Sequence, residues 1–183
     1  VCCAGMGKAN AAATTQVLCG KFGAQAIIFS GIAGNMSEEI GIGDVVVGKE
    51  VCYHDAEVSM ICQSAPFLKS YTGDPALVQA ALDACAALGV KAIAGRIATG
   101  DTFVGDGATK VVIAEKVHPD CVEMEGAAVS QIAARNGVPC VVLRAMSDNA
   151  DESGHELLVV KKFSIAEYVT TATAIVARML ESL

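Results

Sequence analysis

The chain has 183 residues, 53% of them hydrophobic and 18% charged, with a formal net charge of −7. That composition suits one sizeable buried core and excludes a disordered chain. The 13 Lys and Arg residues form no run, which argues against a nucleic-acid surface and leaves a small molecule as the better-fitting partner.

Val1 to Ala4 reads as the end of a strand, followed by the glycine turn Gly5-Met-Gly-Lys8 and an alanine-rich helix over 9–22 that stops at Gly23. A strand, a glycine turn and a helix in that order can offer backbone N–H groups to an anion. This turn matches neither the P-loop nor the dinucleotide-binding glycine pattern, so a plain tight turn is the favoured reading. Residues 24–30 form a buried strand with Gly31-Ile-Ala-Gly34 as its loop, and Gly41-Ile-Gly-Asp44 turns into a further strand that extends toward Tyr53. Tyr53-His-Asp55 groups polar side chains; a lone His beside an Asp is more often a satisfied structural pair than a catalytic dyad.

Residues 57–73 lack periodicity and read as an irregular excursion of the kind used for lids or subunit contacts. Asp74 and Pro75 mark a helix start, with Leu77, Ala81, Leu82, Cys85 and Leu88 supplying one apolar face up to Gly89. A strand over 91–98 ends in Thr99-Gly-Asp-Thr-Phe103, where Phe103 either stacks on a flat ligand or plugs the core. A short helix over 105–116 precedes Val122-Glu-Met-Glu-Gly-Ala-Ala128, a strand end running into a helix that stops at Gly137-Val-Pro139. Cys140 to Leu143 is an apolar run typical of a strand covered on both faces, and Arg144, Ser147, Asp148 and Asp151 follow where it runs out. Ligands bind at the carboxyl ends of strands in open α/β sheets, so this is the candidate site. Glu152 to His155 is a polar loop, and 164–183 is an amphipathic helix with Ile165, Tyr168, Val169, Ala172, Ile175, Val176 and Met179 facing inward.

Strands alternating with helices predict an α/β fold with helices on both sheet faces, in a single domain over 1–183. The eight cysteines are scattered without a C-x-x-C pair, which predicts free thiols in a reducing cytoplasm and no metal site. No apolar stretch is long enough to span a membrane and no signal segment opens the chain, so a cytoplasmic protein is expected.

Taken together and in order, Ala4-Gly-Met-Gly-Lys8, Ser30-Gly-Ile-Ala-Gly34, Gly41-Ile-Gly-Asp44, Tyr53-His-Asp55, Thr99-Gly-Asp-Thr-Phe103, Val122-Glu-Met-Glu125 and Arg144-Ala-Met-Ser-Asp148 resemble the motifs of methylthioadenosine/S-adenosylhomocysteine nucleosidases, within the purine nucleoside phosphorylase superfamily. The resemblance implies a three-layer αβα sandwich around a mixed, mostly parallel sheet, an adenine nucleoside substrate, no cofactor, and a homodimer in which 61–67 reaches the partner's pocket. It implies that Asp148 is the general acid that protonates N7 of the leaving adenine, with Ser147 and Arg144 orienting that region and the water side of the sugar. By the same resemblance Glu125 accepts hydrogen bonds from the ribose hydroxyls, Met124 packs on the sugar and Glu123 supports them. Phe103 stacks on adenine, the backbone of Val104 reads its edge, and Ala33 and Gly34 line the base and sugar pocket. Met6 touches the 5′-thio substituent and Phe163 closes that end.

The chemistry is consistent with those roles, because breaking an N-glycosidic bond builds positive charge on the sugar and electron density on the base. Two departures from the family pattern stand out. The N-terminal strand and turn that carry a water-activating Glu have no counterpart, which predicts a chain lacking its first few dozen residues in preference to one that has lost that function, and Ile32 stands where a small or polar residue is common. Phosphorylases of the superfamily carry an Arg just before the glycine loop; here Ile28-Phe29-Ser30 occupies that stretch, which favours water over phosphate as nucleophile. Futalosine-type hydrolysis and nucleoside binding without turnover are the remaining alternatives.

Overall fold

The computed structural model of the protein describes residues 1–152 and 164–182. Its elements run α1 (Lys8–Phe22), β1 (Ile27–Asn35), β2 (Val45–Tyr53), α2 (Val58–Ile61), β3 (Tyr71–Thr72), α3 (Pro75–Ala87), β4 (Ala92–Thr99), α4 (Gly107–Val117), β5 (Cys121–Glu123), α5 (Gly126–Arg135), β6 (Cys140–Asp148) and α6 (Ile165–Ser182). Local chemistry sets several of these limits. The Asp74 carboxylate accepts from the Ala76 and Leu77 amides and Pro75 opens α3, as the sequence predicts. α1 stops at Gly23, whose left-handed φ of 63° an L-residue adopts only with strain.

The strands form one mixed sheet in the order β3-β2-β4-β5-β1-β6, and β2 also pairs with β6. That last pairing corrects the expected flat middle layer, because it closes the sheet on itself. β2 meets β6 antiparallel at Val45↔Ala145, Val46↔Arg144 and Val47↔Leu143, then pairs with β3 farther along at Glu50↔Thr72 and Val51↔Tyr71. The hand-over falls at Gly48, where a Cβ would lie 3.1 Å from the Val142 carbonyl oxygen. Closure leaves fewer open backbone edges than a sandwich of the same strands. The long ladders, β1 with β6 and β2 with β4, are parallel, while β1 with β5 is antiparallel.

Alternation along the strands separates two apolar faces. Val45, Val47, Val141, Leu143 and Ala145 pack with Leu77, Ala81, Ala84 and Cys85 of α3 and Ile175 and Met179 of α6. Val46, Val142, Met146 and Ile97 face the other way, with Ala127 of α5, and α1 packs on α5 through Ala11, Ala128, Val129 and Ala133. Each such Val or Leu contributes roughly 1.5–3 kcal/mol on burial, and Cys85, Cys121 and Cys140 are buried free thiols of the same core. Among the described residues no helix is long and apolar enough to cross a membrane.

Four other expectations are corrected. Residues 1–4 form no strand and are largely exposed. Ile165 and Val169 lie outward on α6, 63% and 53% exposed, since the helix contacts the core through Ile175 and Met179 instead. The Gly31–Gly34 loop is part of β1, and Arg144, Ser147 and Asp148 are inside β6 rather than beyond it. Glycine keeps a strand there because another side chain fills its space: a Cβ on Gly31 would sit 1.5 Å from Arg144 Nη1. Gly31→Ala is therefore expected to displace the Arg144 guanidinium and lower unfolding stability by about 3 kcal/mol, the scale of a broken buried ion pair. Urea denaturation measures this, and an unchanged midpoint would refute the close-approach reading.

Candidate active site

At the carboxyl ends of β1 and β6, beside β5, opens a concavity of about 240 Å³ lined by Gly34, Thr102, Phe103, Val104, Val122, Glu123, Met124 and Asp148. Six of these are residues singled out from the sequence. Asp148 ends β6 and is 2% exposed. Its Oδ2 accepts from the Ser147 hydroxyl at 2.7 Å and its Oδ1 from the Ala150 amide at 2.8 Å. Ser147, itself buried, also lies 3.2 Å from the Ala33 carbonyl oxygen, which it donates to as an alternative. Gly34 pairs with Asp148 across the β1–β6 ladder, and a Cβ there would lie 3.0 Å from Asp148 Oδ1. Phe103 is half exposed at the mouth while Val104 is buried beneath it.

The carboxylates of Glu123 and Glu125 have different surroundings. Glu123 is fully engaged by protein: it accepts from the Thr99 hydroxyl, from Arg144 Nη2, and from the amides of Glu125 and Gly126 at 2.9 and 2.7 Å. Those two amides are at the start of α5, where the helix dipole and unpaired N–H groups favour an anion. Glu125 is half buried, with Oε1 accepting from the Gly7 amide at 2.8 Å and Oε2 at 3.4 Å from Arg144 Nη2. The Arg144 guanidinium is buried, stacks 4.5 Å from the centroid of Phe29, and leaves its Nε without a hydrogen-bond partner.

Other sequence-predicted residues lie outside the concavity wall. Met6 is 75% exposed on the turn before α1, and Ala33 and Ser147 stand behind Asp148 in the strands. Phe163 lies outside the described residues. A second concavity of about 260 Å³, between β2, β6 and α6, is lined by Ser30, Val45, Leu143 and Tyr168 among others, and no carboxylate lines it.

Sequence reasoning missed several residues that organise this region. Thr99 is fully buried, donating to Glu123 and accepting from the Ala127 amide at 2.8 Å; its place at the head of the 99–103 motif was the available signal. Lys8 reaches Asp55 Oδ1 and Oδ2 at 2.9 and 2.8 Å and Asp101 Oδ2 at 3.4 Å. Nothing in the spacing of those three positions announces their meeting.

His54 does not form the satisfied pair with Asp55 that the sequence suggests, because the Asp55 carboxylate is engaged by Lys8 and the Asp101 amide. It is buried against Gly100, its backbone amide donates to the Thr99 carbonyl at 3.0 Å, and its Nε2 has no partner. Burial holds its pKa below the ordinary value, with Lys116 and Lys8 acting in the same direction and Asp55 against it. A depressed folded-state pKa means that the unfolded chain takes up the proton first. Stability present above about pH 6.5, the unperturbed value, is then lost as pH falls toward the folded pKa. The unfolding temperature is accordingly expected to drop between pH 7 and pH 5, and less steeply in His54→Gln; parallel profiles for the two proteins would refute it.

Comparison with known proteins places this geometry. Residues 1–181 match the family model of the Phosphorylase superfamily. A Shewanella sediminis protein named 5′-methylthioadenosine/S-adenosylhomocysteine nucleosidase is 42% identical over 153 residues, covering 80% of this chain and 66% of that protein. This chain thus spans just under two thirds of that relative's length. A Campylobacter jejuni aminodeoxyfutalosine nucleosidase is 35% identical over 179 residues, 96% of this chain and 75% of that one. The fold is shared with the Neisseria meningitidis 5′-methylthioadenosine/S-adenosylhomocysteine nucleosidase solved with methylthio-immucillin-A, at a TM-score of 0.89 and 31% identity over 98% of this chain and 79% of that one. With the whole described sheet and the concavity inside the matched residues, the chain belongs to the Phosphorylase superfamily.

Proposed function

We propose that the protein hydrolyses the N-glycosidic bond of 5′-methylthioadenosine and S-adenosylhomocysteine, releasing adenine and the 5-thioribose product. The observation that carries this reading is the buried Asp148 carboxyl in one wall of a concavity whose other walls carry Phe103, Val104 and Met124. Phe103 offers a face for the flat base and Met124 an apolar surface for the sugar. Asp148 is the general acid: it delivers a proton to N7, so the base leaves as neutral adenine while water attacks C1′ and loses its second proton to solvent, from which Asp148 is reprotonated. The Ser147 hydroxyl and the Ala150 amide hold the acid in one orientation. Glu125, whose carboxylate is the more open of the neighbouring pair, accepts from the ribose hydroxyls and stabilises the positive charge that develops on the sugar. Arg144 fixes Glu123 and, through it, the start of α5 that carries Glu125.

Water is favoured over phosphate because residues 28–30 supply no Arg, and the ring of Phe29 lies on Arg144 instead. The relative named aminodeoxyfutalosine nucleosidase aligns with 96% of this chain, which supports a second reading: the same bond cleaved in a nucleoside with a different 5′ group. Exposed Met60, Phe67 and Leu68 between β2 and α3 support a homodimer contact, and the free thiols support a cytoplasmic setting.

Adenine release from 5′-methylthioadenosine, S-adenosylhomocysteine and aminodeoxyfutalosine, each with and without phosphate, tests the proposal. Release without phosphate is expected, and strict phosphate dependence would refute hydrolysis. Asp148→Asn is expected to lower kcat by roughly 10²–10⁴-fold, the usual worth of a general acid. Its unfolding temperature should change little, because the amide oxygen can still accept from Ala150 and the amide nitrogen can donate to Ser147. Full turnover in that variant would remove Asp148 from the acid role.

A further inference from the structure

We propose that Lys8 is a positioning residue, whose ammonium, gripped by Asp55 and Asp101, ties the turn before α1 to the loop after β4 and so sets the mouth of the substrate site. The inference rests on the proposed nucleosidase reading and adds a residue that touches neither the base nor the sugar in it.

Three loops meet at this point. The Lys8 ammonium bonds both Asp55 oxygens, on the loop after β2, and lies 3.4 Å from Asp101 on the loop after β4. The Lys8 amide donates to Asp101 Oδ1 at 2.9 Å, so Asp101 caps α1, a helix whose own N-cap is a glycine without a side chain. The Asp101 amide in turn donates to Asp55 Oδ2 at 2.8 Å. The Lys8 ammonium also stands 5.5 Å from the Tyr53 ring centroid, and Tyr53 is anchored to α5 by a 2.7 Å hydrogen bond to Gln131.

Each end of this latch adjoins the site. One residue before Lys8, the Gly7 amide holds Glu125 Oε1 at 2.8 Å, with Gly7 at a φ of 87° that favours glycine. Immediately after Asp101, Thr102, Phe103 and Val104 line the concavity. Asp148, by contrast, is held by Ser147 and Ala150, which share no contact with the latch. The latch therefore governs how the base and sugar are received, and leaves the acid alone.

The charges explain why a lysine is needed. Asp55 and Asp101 are brought together by the Asp101 amide, and without a cation between them two carboxylates repel across the loop boundary. Burial raises the Asp55 pKa, but the Lys8 hydrogen bond, the Asp101 amide and the neighbouring positive charge outweigh it and hold the carboxyl below its ordinary range. The Lys8 and Asp55 side chains are each 24% exposed and Asp101 is 54% exposed, so salt weakens the latch.

The experiment compares wild type, Lys8→Met, Lys8→Arg and Lys8→Met/Asp55→Asn, by steady-state adenine release from 5′-methylthioadenosine and by hydrogen exchange of the amides of Gly7 and residues 100–104. Lys8→Met is expected to raise KM by roughly tenfold, the scale of one lost charge-assisted contact, with a smaller fall in kcat through the loosened Gly7 contact to Glu125, because the acid itself is untouched. Exchange at Gly7 and 100–104 should accelerate. Lys8→Arg should restore both, the double variant should recover part of the loss, and 1 M salt should shift wild type toward Lys8→Met. Unchanged KM and exchange in Lys8→Met, or a fall in kcat that Lys8→Arg does not rescue, would overturn the proposal. If wild type releases no adenine, the nucleosidase reading fails by itself, and the exchange profiles alone decide the latch: acceleration in Lys8→Met with rescue in Lys8→Arg upholds it, and identical profiles overturn it.

Discussion

The ion pair between Arg144 and Glu123, with 2% and 1% of their side chains exposed, is the constraint on which the site depends. Removing both charges from water is expensive, and their mutual attraction offsets that only when the remaining lone pairs and protons are also matched. Glu123 meets the condition: a threonine hydroxyl and two helix-start amides complete its shell. Those partners come from β4 and α5, while the charges belong to β5 and β6, so satisfying one carboxylate fixes four elements. Arg144 reaches it by crossing β1 where Gly31 has no side chain, and Phe29 covers the guanidinium face. Its unpartnered Nε is the one incomplete feature of an otherwise matched pair.

This arrangement assigns different work to three carboxylates, two of them two residues apart and the third on another strand. Glu123 is consumed by structure. Glu125, two residues on at the N-cap of α5, keeps part of its surface open because the backbone turns there and only one oxygen is firmly held. Asp148 is on β6, separated from β5 by β1, and is oriented by two donors from its own chain segment. In the proposed reaction the open carboxylate faces the sugar cation and the buried carboxyl faces the base, on opposite sides of the breaking bond.

What was legible in the sequence follows the range of the interactions. Asp74 and Pro75, the alanine-rich α1 and the apolar run of β6 declare themselves locally, because caps and periodicity act within a few residues. The residues lining the concavity were named from their motif order, although their roles came from resemblance and remain proposals. Gly31 to Gly34 read as a loop because glycine punctuates strands by default; here the reason for glycine is an arginine 113 positions later. The closing contact of β2 with β6 was invisible for the same reason, since alternation records which face of a strand is buried and not which strand lies beside it. Met6 and Glu123 show what transfer by motif order leaves unsaid: one is well exposed on its turn, and the carboxylate of the other is already engaged by four protein donors.

Two cations therefore hold the region by different physics. Arg144 works inside the protein, where screening is weak and the geometry is enforced by strands on several sides. Lys8 works at the rim, where its partners are partly hydrated. A buried pair of the first kind makes a rigid floor, and a hydrated bridge of the second kind makes a wall that can yield and re-form. In the proposed reaction a nucleoside enters and a free base leaves past the same rim, which calls for a floor that stays still beneath a mouth that yields. In that reading the acid is on the Arg144 side and the exposed Phe103 on the Lys8 side, with the Glu125 carboxylate held between them by the Gly7 amide and Arg144, which satisfies both demands with one charge at each position.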